Sequence, residues 1–201
     1  NPNCSTITMV PTLAALDEGF GIERADVTTL QAVSGAGYSG VTSMEIIDNA
    51  IPHIGGEENK METESRKLLG EFDGAELSLH DAEVNASCNR IPTLDGHLES
   101  VFVDLADDPS PAAAREALES FPGIDLPSAP DQLIHVFGDD QPDRPQPRLD
   151  RNRDNGMAIS AGGVSETPSG LKYNCLAHNT LRGAAGASLL NGELLVEEGW
   201  I

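Results

Sequence analysis

The sequence predicts an α+β fold in which a mixed, mostly antiparallel sheet is covered by helices. Three observations support this class. The chain has 201 residues, of which 39% are hydrophobic, and this is enough to bury a sizeable core. Segments with helical and with β character are mixed along the chain. After position 80 the β segments follow one another across turns instead of alternating with helices, which favours antiparallel pairing.

The first predicted element is a helix at 4–16, where apolar and small residues recur at helical spacing. Pro11 predicts a kink within this helix, and Gly19 predicts its end. Valine and threonine are then frequent at 24–33, which predicts a strand that runs into the glycine-rich loop at 34–40.

The later elements follow from periodicity and from capping and turn residues. Asp-Asp-Pro-Ser precedes the helix at 111–121 as cap material, and Gly70 stops the helix at 57–69. Residues 138–155 are polar and proline-rich, so they form a long excursion rather than core. The remaining predictions are helices at 43–48 and 179–196, a turn at 52–56, and strands at 83–91, 98–105, 133–137, 157–164 and 171–177.

The charge balance limits the partners of the protein. Twelve lysines and arginines face 33 aspartates and glutamates, which gives a net charge of -21. Nucleic acid and anionic membranes would be repelled, so neither is an expected partner. The acidic residues are spread along the chain, and lysine is scarce. This combination suggests a protein adapted to concentrated salt, where screening reduces self-repulsion.

Three cysteines are present, an odd number without the spacing of metal ligands. We therefore predict neither a disulfide framework nor a metal site, and we expect a cytoplasmic location. Cys4 is the most informative of the three because it lies at a predicted helix start, where unpaired N–H groups and the helix dipole favour the thiolate. Cys4 is thus a candidate nucleophile. The alternative is a small buried hydrophobic residue.

The segment SCNRIPTLDGH at 87–97 contains an arginine and a histidine on either side of a proline and an Asp-Gly turn. Arg90 could anchor an anion beside His97 as a proton-transfer group. The alternative is a surface ion pair and a turn cap. Cys4 and His97 together form the pair that thiol catalysis needs, one group to attack a carbonyl and the other to transfer protons.

Two further patterns are weaker on their own. Glu57 and Lys60 lie three residues apart in the first turn of a predicted helix, where they could hold a zwitterion or a phosphate, or form an ordinary ion pair. The loop SGAGYSG lacks the context of a phosphate-binding motif and could be a tight turn. Asn179, which follows His178, is a favoured N-cap residue.

Five segments in this order closely resemble the aspartate-semialdehyde dehydrogenase family, in its archaeal and fungal-type branch. They are NPNCST, QAVSGAGY, IDNAIPHIGGEENK, SCNRIPTLDGH and HNTLRGAAGAS. The resemblance covers almost the whole chain, and the acidic bias suggests a halophilic archaeal version.

The resemblance implies a domain division. In that family a Rossmann domain that binds NADP precedes the catalytic cysteine, so we expect 1–178 to be the catalytic and dimerisation domain. Residues 179–201 are expected to be a C-terminal helix that packs on the nucleotide-binding domain and that exposes an apolar face here. A homo-oligomer, a dimer or a tetramer, is also implied.

The resemblance further implies NADP-dependent reductive dephosphorylation of L-aspartyl-4-phosphate to L-aspartate-4-semialdehyde, in the biosynthesis of lysine, threonine and methionine. Cys4 would form a thioester, and His97 would be the acid and base. The resemblance implies further roles. Gln31 would orient the substrate, Arg90 would bind its α-carboxylate, Glu57 its α-amino group and Lys60 its phosphate. Ser34, Gly35 and Asn179 would contact the cofactor. Cys88 and Cys175 match no catalytic position and are expected to be structural.

Three alternatives stay open at this point. Malonyl-CoA reductase shares the thioester chemistry, although Glu57 together with Lys60 favours an amino-acid phosphate. The chain could also be an assembly module that is inactive alone. A generic acidic binding protein would have a Cys4 that titrates like free cysteine, whereas a thiolate supported by the helix dipole should react well below about pH 8.

Overall fold

The computed structural model describes all 201 residues and confirms the predicted class. A six-stranded sheet has the order β4-β1-β5-β8-β7-β6. Only the pairs β1–β4 and β6–β7 are parallel, so the sheet is mixed and mostly antiparallel. Its strands are β1 Ile22–Gln31, β4 Glu83–Arg90, β5 His97–Leu105, β6 Ile134–Val136, β7 Ile159–Thr167 and β8 Gly170–Ala177.

The predicted helices are also present. They are α1 Cys4–Phe20, α2 Ser43–Ile46, α3 Glu57–Leu68, α4 Pro111–Ser120 and α6 Gly186–Glu197. A short helix that was not predicted, α5 Pro147–Asp150, lies within the polar segment 138–155. Helix α1 continues through Pro11 as one element and ends at Phe20, next to the predicted end at Gly19, with Gly21 as its cap. Gly21 has a φ of 67°, a conformation that glycine adopts without steric strain, and its N–H donates to the carbonyl of Asp17.

A small hairpin lies outside the predicted elements. Strands β2 Glu71–Phe72 and β3 Leu77–Ser78 pair in a separate two-stranded sheet. Its turn contains Asp73, whose carboxylate accepts from the backbone N–H groups of Ala75 and Glu76. Two-residue strands are too short to show the alternation that identifies a strand.

One face of the large sheet carries the core. Helices α1, α3 and α4 pack on this face, and the side chains between the layers are removed from water. The largest fully buried residues here include Met9, Leu13, Leu16, Met61, Leu118 and Tyr173.

Helix α3 is also held to the sheet by hydrogen bonds at the outer edge of β4. Glu58 accepts from the N–H of Cys88 at 3.2 Å, and Glu62 accepts from the N–H of Ala86 at 3.3 Å. These carboxylates satisfy strand donors that no further strand covers, and they place Glu57 at the carboxyl end of β4.

The other face of the sheet is only partly covered. Asp26, Asn85, Phe102 and Lys172 form one polar cross-strand row on this face, and Phe102 and Lys172 are exposed. Helix α5 contacts β8, and Leu176, further along β8 on this face, is buried.

The C-terminal segment begins differently from the prediction. Residues Leu181–Ala185 form a π-helical turn, and α6 follows it. The expected exposed apolar face is present: Leu189, Leu195, Val196, Trp200 and Ile201 are between 43% and 78% exposed. The inner side is tied to the chain start, where Asn1 donates to the carbonyl of Ala184 at 3.0 Å. None of the helices has the length and apolar character needed to cross a membrane.

The packing of α1 on the sheet can be tested by substitution. Leu13 is fully buried in the core, so Leu13→Ala is expected to lower the free energy of unfolding by about 2–5 kcal/mol. Leu149→Ala, at a side chain 59% exposed, is the control and should change it by less than about 0.5 kcal/mol. Urea unfolding followed by circular dichroism measures both. Equal effects of the two substitutions would contradict this core.

Candidate active site

Cys4 lies in the first turn of α1, and Asn3 caps that turn. The Asn3 side-chain oxygen accepts from the N–H groups of Ser5 at 2.9 Å and Thr6 at 3.3 Å. The cap fixes the start of the helix and so the position of Cys4. Cys4 Sγ then lies 3.3 Å from His97 Nε2. The structure therefore brings together the two residues that the sequence analysis paired across 93 positions.

His97 is the first residue of β5 and is fully buried. Its Nδ1 accepts a hydrogen bond from the backbone N–H of Ala32 at 3.1 Å. Because Nδ1 accepts, the neutral ring carries its proton on Nε2, facing Cys4 Sγ. Ala32 thus sets both the orientation and the tautomer of the imidazole.

The electrostatics of the site corrects the prediction for the protonation of Cys4. Burial, followed by the Glu57 carboxylate and by Glu99 once it ionises, raises the pKa of Cys4 to about 11, and the N–H groups of the helix start offset this only in part. Burial, with smaller contributions from Arg90 and His178, lowers the pKa of His97 to about 3. The expectation of a thiolate well below pH 8 is therefore wrong for this state. The site rests as a thiol beside a neutral imidazole, because desolvation outweighs the helix dipole.

Arg90 lies beside this pair with most of its hydrogen-bonding capacity unused. Its Nη1 donates to the carbonyl of Ala32 at 2.7 Å, and burial lowers its pKa. It forms no salt bridge within the chain, although the Glu57 carboxylate is close enough to favour its charge. A guanidinium has five N–H donors in a planar arrangement, so the remaining ones are free to bind an anion such as a carboxylate.

Gly35 lies where any side chain would disturb both groups. A Cβ atom there would be 2.7 Å from Arg90 Nη1 and 3.1 Å from His97 Nε2. The backbone of the glycine-rich turn therefore passes directly over the arginine and the imidazole. This contact explains why the turn, Val33–Ala36, needs glycine at this position.

Glu57 is the first residue of α3 and forms the other side of the site. Its carboxylate accepts from the Asn3 amide at 2.9 Å and from Gln31 Nε2 at 3.4 Å. Lys60 Nζ lies 3.6 Å from Glu57 Oε1, and the lysine side chain is 53% exposed whereas that of Glu57 is 12% exposed. The predicted pairing on one helix face is thus present, with the carboxylate facing the site and the ammonium at its rim.

Asn179 joins the loop and the sheet from a buried position. Its side-chain amide donates to Ser34 Oγ at 2.9 Å, and its oxygen accepts from the N–H of Gly96 at 2.8 Å. Ser34 precedes Gly35 in the same turn. All nine residues singled out from the sequence therefore belong to one connected cluster.

Several residues of the site were missed by the sequence analysis. Asn3 could have been found, because asparagine before a helix is a cap signal. Ala32 acts through its peptide group and leaves no signal in the sequence. Gly183 packs so closely on the nucleophile that a Cβ there would be 2.7 Å from Cys4 Cβ.

The other two cysteines are buried and free, as expected for structural residues. Cys88 contacts Met61 in the core, with 3.6 Å between the sulfur atoms. Cys175 donates to the carboxyl of Glu99 at 3.8 Å.

The arrangement of the side chains of the site suits one type of reaction. A thiol that can attack a carbonyl carbon lies beside an imidazole N–H that can donate to the carbonyl oxygen, and a guanidinium beside them can hold an anionic group of the same molecule. Such an arrangement suits acyl transfer to sulfur.

Comparisons with known proteins identify the family of this chain. Residues 13–182 match the family model described as "Semialdehyde dehydrogenase, dimerisation domain". The chain is 49% identical to the aspartate-semialdehyde dehydrogenase of Archaeoglobus fulgidus over 98% of its own length and 57% of that protein, and 47% identical to that of Schizosaccharomyces pombe over 99% and 58%. The chain thus spans somewhat more than half the length of these relatives.

Solved structures of aspartate-semialdehyde dehydrogenases are also similar to this chain. The crystal structure of aspartate semialdehyde dehydrogenase with NADP from Candida albicans aligns with the whole chain and with 57% of that protein, at a TM-score of 0.89 and 41% identity. A Vibrio cholerae aspartate semialdehyde dehydrogenase II complexed with ASA aligns with 99% of the chain at a TM-score of 0.81 and 29% identity.

The protonation state of Cys4 can be measured by alkylation. Because its pKa is raised to about 11, the rate of iodoacetamide labelling should increase about tenfold per pH unit from about pH 7 to about pH 10. Mass spectrometry distinguishes Cys4 from the buried Cys88 and Cys175. Glu57→Gln removes a charge that raises this pKa and should move the midpoint to lower pH. A labelling rate that levels off below about pH 8 would contradict the thiol state.

The close approach of Gly35 to Arg90 and His97 predicts that a substitution at this position lowers activity. Gly35→Ala should displace Arg90 and the His97 ring, because its Cβ would lie 2.7 Å from Arg90 Nη1, and should lower kcat/KM on the order of 100-fold. Gly19→Ala, with no atom within 4 Å of the added Cβ, is the matched control. Steady-state kinetics of the two variants, made in the full-length protein, measures the difference. Wild-type activity in Gly35→Ala would show that the loop does not constrain the site.

Proposed function

Because this chain belongs to the semialdehyde dehydrogenase family, as its dimerisation domain, we propose that the protein is an aspartate-semialdehyde dehydrogenase. It reduces L-aspartyl-4-phosphate to L-aspartate-4-semialdehyde with NADPH and releases phosphate. The observation that carries this proposal is the 3.3 Å contact of Cys4 Sγ with His97 Nε2, beside the unpaired donors of Arg90.

The nucleophile is activated by the substrate itself. Arg90 binds the α-carboxylate, which places the α-ammonium group near Glu57. The ammonium charge offsets the Glu57 carboxylate, one of the causes of the raised pKa of Cys4. Substrate binding therefore favours the thiolate at the moment when an acyl group is present to accept it.

Cys4 loses its proton to solvent as substrate binds, and attack of the thiolate on the acyl carbon forms a thioester and breaks the bond to the phosphate. Lys60, at the rim, meets the departing phosphate, and the imidazole Nε2–H donates to the carbonyl oxygen as negative charge develops there. Gln31, buried between Thr29 and Glu57, orients the acyl group. When the thioester carbon is reduced, the C–S bond breaks, sulfur leaves as thiolate and the aldehyde is released.

The cofactor site is proposed at the glycine-rich turn. Bound NADPH supplies the hydride that reduces the thioester carbon. The turn fits a flat ring, because Gly35 has no side chain above the reacting residues and because a groove lined by Val33, Ile46 and Leu94 continues from Ser34. Asn179 fixes the Ser34 hydroxyl and so the edge of this surface.

The assembly proposed for the protein uses the two surfaces that the chain leaves uncovered. Residues 1–178 form the catalytic and dimerisation domain, and a second copy covers the polar sheet face of Asp26, Asn85, Phe102 and Lys172. Residues 179–201 present the apolar side of α6 to a nucleotide-binding domain. The isolated chain is then inactive, because cofactor binding needs that domain.

The setting proposed for the protein is the cytoplasm. All three cysteines are free, as in a reducing compartment, and the net charge of -21 disfavours nucleic acid and anionic membranes as partners. Adaptation to concentrated salt stays a prediction.

An assay of the full-length protein tests the function. Phosphate-dependent reduction of NADP is expected with aspartate semialdehyde, and no reduction is expected with malonate semialdehyde plus CoA. Glu57 and Lys60 suit an amino-acid phosphate, whereas a CoA ester offers no α-ammonium group to Glu57. Activity with the malonate pair alone would identify a malonyl-CoA reductase instead.

The role of Arg90 predicts a binding defect. Arg90→Lys keeps a positive charge but loses the planar arrangement that binds a carboxylate through two hydrogen bonds. We expect KM for aspartate semialdehyde to increase on the order of 10–100-fold, as for loss of a charged hydrogen bond. The control is Arg24→Lys, on the exposed part of β1. An unchanged KM in Arg90→Lys would show that the carboxylate binds elsewhere.

A further inference from the structure

Glu99 is a fully buried acid behind the reacting pair. It lies two residues after His97 on β5, so its side chain is on the same, helix-covered face of the sheet, and it is 0% exposed. No cationic side chain pairs with it. Burial raises the pKa of Glu99 well above its usual value, and Glu57 adds to this. A buried carboxyl without a cation holds its proton.

The neighbours of Glu99 connect three elements. Cys175 Sγ on β8 donates to Glu99 Oε2 at 3.8 Å. Glu99 Oε1 has no partner, and neither has Ser5 Oγ, although both atoms are sealed from solvent. The Ser5 hydroxyl is nevertheless close enough to stabilise the charged form of the Glu99 carboxyl. Ser5 follows Cys4 directly in the first turn of α1.

A protonated carboxyl has one O–H donor in addition to its acceptor oxygens. The O–H on Oε1 can donate to Ser5 Oγ while Oε2 accepts from Cys175, so neither orphan atom remains unsatisfied. An ionised carboxylate could accept from both neighbours, but it would be a buried charge without a cation, and its charge would oppose the thiolate by raising the pKa of Cys4.

We propose that Glu99 is a positioning residue for Cys4: as a neutral carboxylic acid it joins Ser5 on α1 to Cys175 on β8. The link fixes the first turn of α1, and with it Cys4 Sγ, against the His97 ring. The inference goes beyond the proposed reaction and rests only on Cys4 as its nucleophile. The titratable groups around Glu99 are Cys4, Glu57, Cys88, Tyr173 and Cys175.

The test compares Glu99→Gln with Glu99→Leu in the full-length protein. Glutamine keeps the shape, one donor and one acceptor but cannot ionise, so this variant should retain most of kcat and the wild-type pH dependence of Cys4 alkylation. Leucine removes the link, so kcat should fall on the order of 10–100-fold with little change in KM, and the alkylation midpoint should shift. Val101→Ala, which truncates the next buried residue on the same face of β5, is the packing control and should leave the midpoint unchanged.

Infrared spectroscopy gives a readout that needs neither activity nor a foldable leucine variant. The difference spectrum of wild type and Glu99→Gln at neutral pH should show the loss of a protonated carboxylic acid band. Loss of carboxylate bands instead would overturn the proposal. So would equal damage by glutamine and leucine, or a folded Glu99→Leu with the wild-type kcat and alkylation profile. If the infrared and alkylation results are as expected but the protein shows no activity with aspartate semialdehyde, the proposed substrate is refuted and the role of Glu99 is not.

Discussion

The backbone of Ala32 organises the site. Its N–H donates to His97 Nδ1, and its carbonyl accepts from Arg90 Nη1. The two peptide groups on either side of one residue therefore set the tautomer of the imidazole and the position of the guanidinium. Neither contact depends on a side chain at position 32. The His97 ring and the Arg90 guanidinium consequently move together if the end of β1 moves.

The topology of the sheet explains why these groups meet. Strands β1 and β4 are parallel and end side by side, with Gln31 opposite Arg90. Strand β5 is antiparallel to both β1 and β8, so His97 begins at the same edge, opposite Ala177 at the end of β8. The capped start of α1 brings Cys4 to this edge. Residues distant in sequence thus converge because four strand ends share one side of the sheet.

The sequence was sufficient to predict what side-chain patterns encode. The class of fold, the long helices and the strands of the sheet carry such patterns. Cys4, His97 and Arg90 were singled out from local patterns and Gln31, Ser34 and Gly35 from the resemblance, and the structure places them together, while their roles stay predictions. The contribution of Ala32 could not be predicted, because a peptide group is the same at every residue. The protonation of Cys4 was predicted wrongly, since burial and the positions of Glu57 and Glu99 depend on packing between elements. The two-residue strands of the hairpin β2–β3 are too short to show the alternation of apolar and polar residues that identifies a strand.

A consistent electrostatic account follows from these contacts. The site holds a neutral thiol, a neutral imidazole with its proton on Nε2, and a neutral acid at Glu99, while Arg90 and Glu57 supply the charges that recognise a zwitterion. Nitrogen NMR of the His97 ring in the full-length protein tests this most directly. The account predicts a neutral ring protonated at Nε2 from about pH 5 to about pH 8, because its pKa is lowered to about 3. A doubly protonated imidazolium in that range, or a proton on Nδ1, would contradict it.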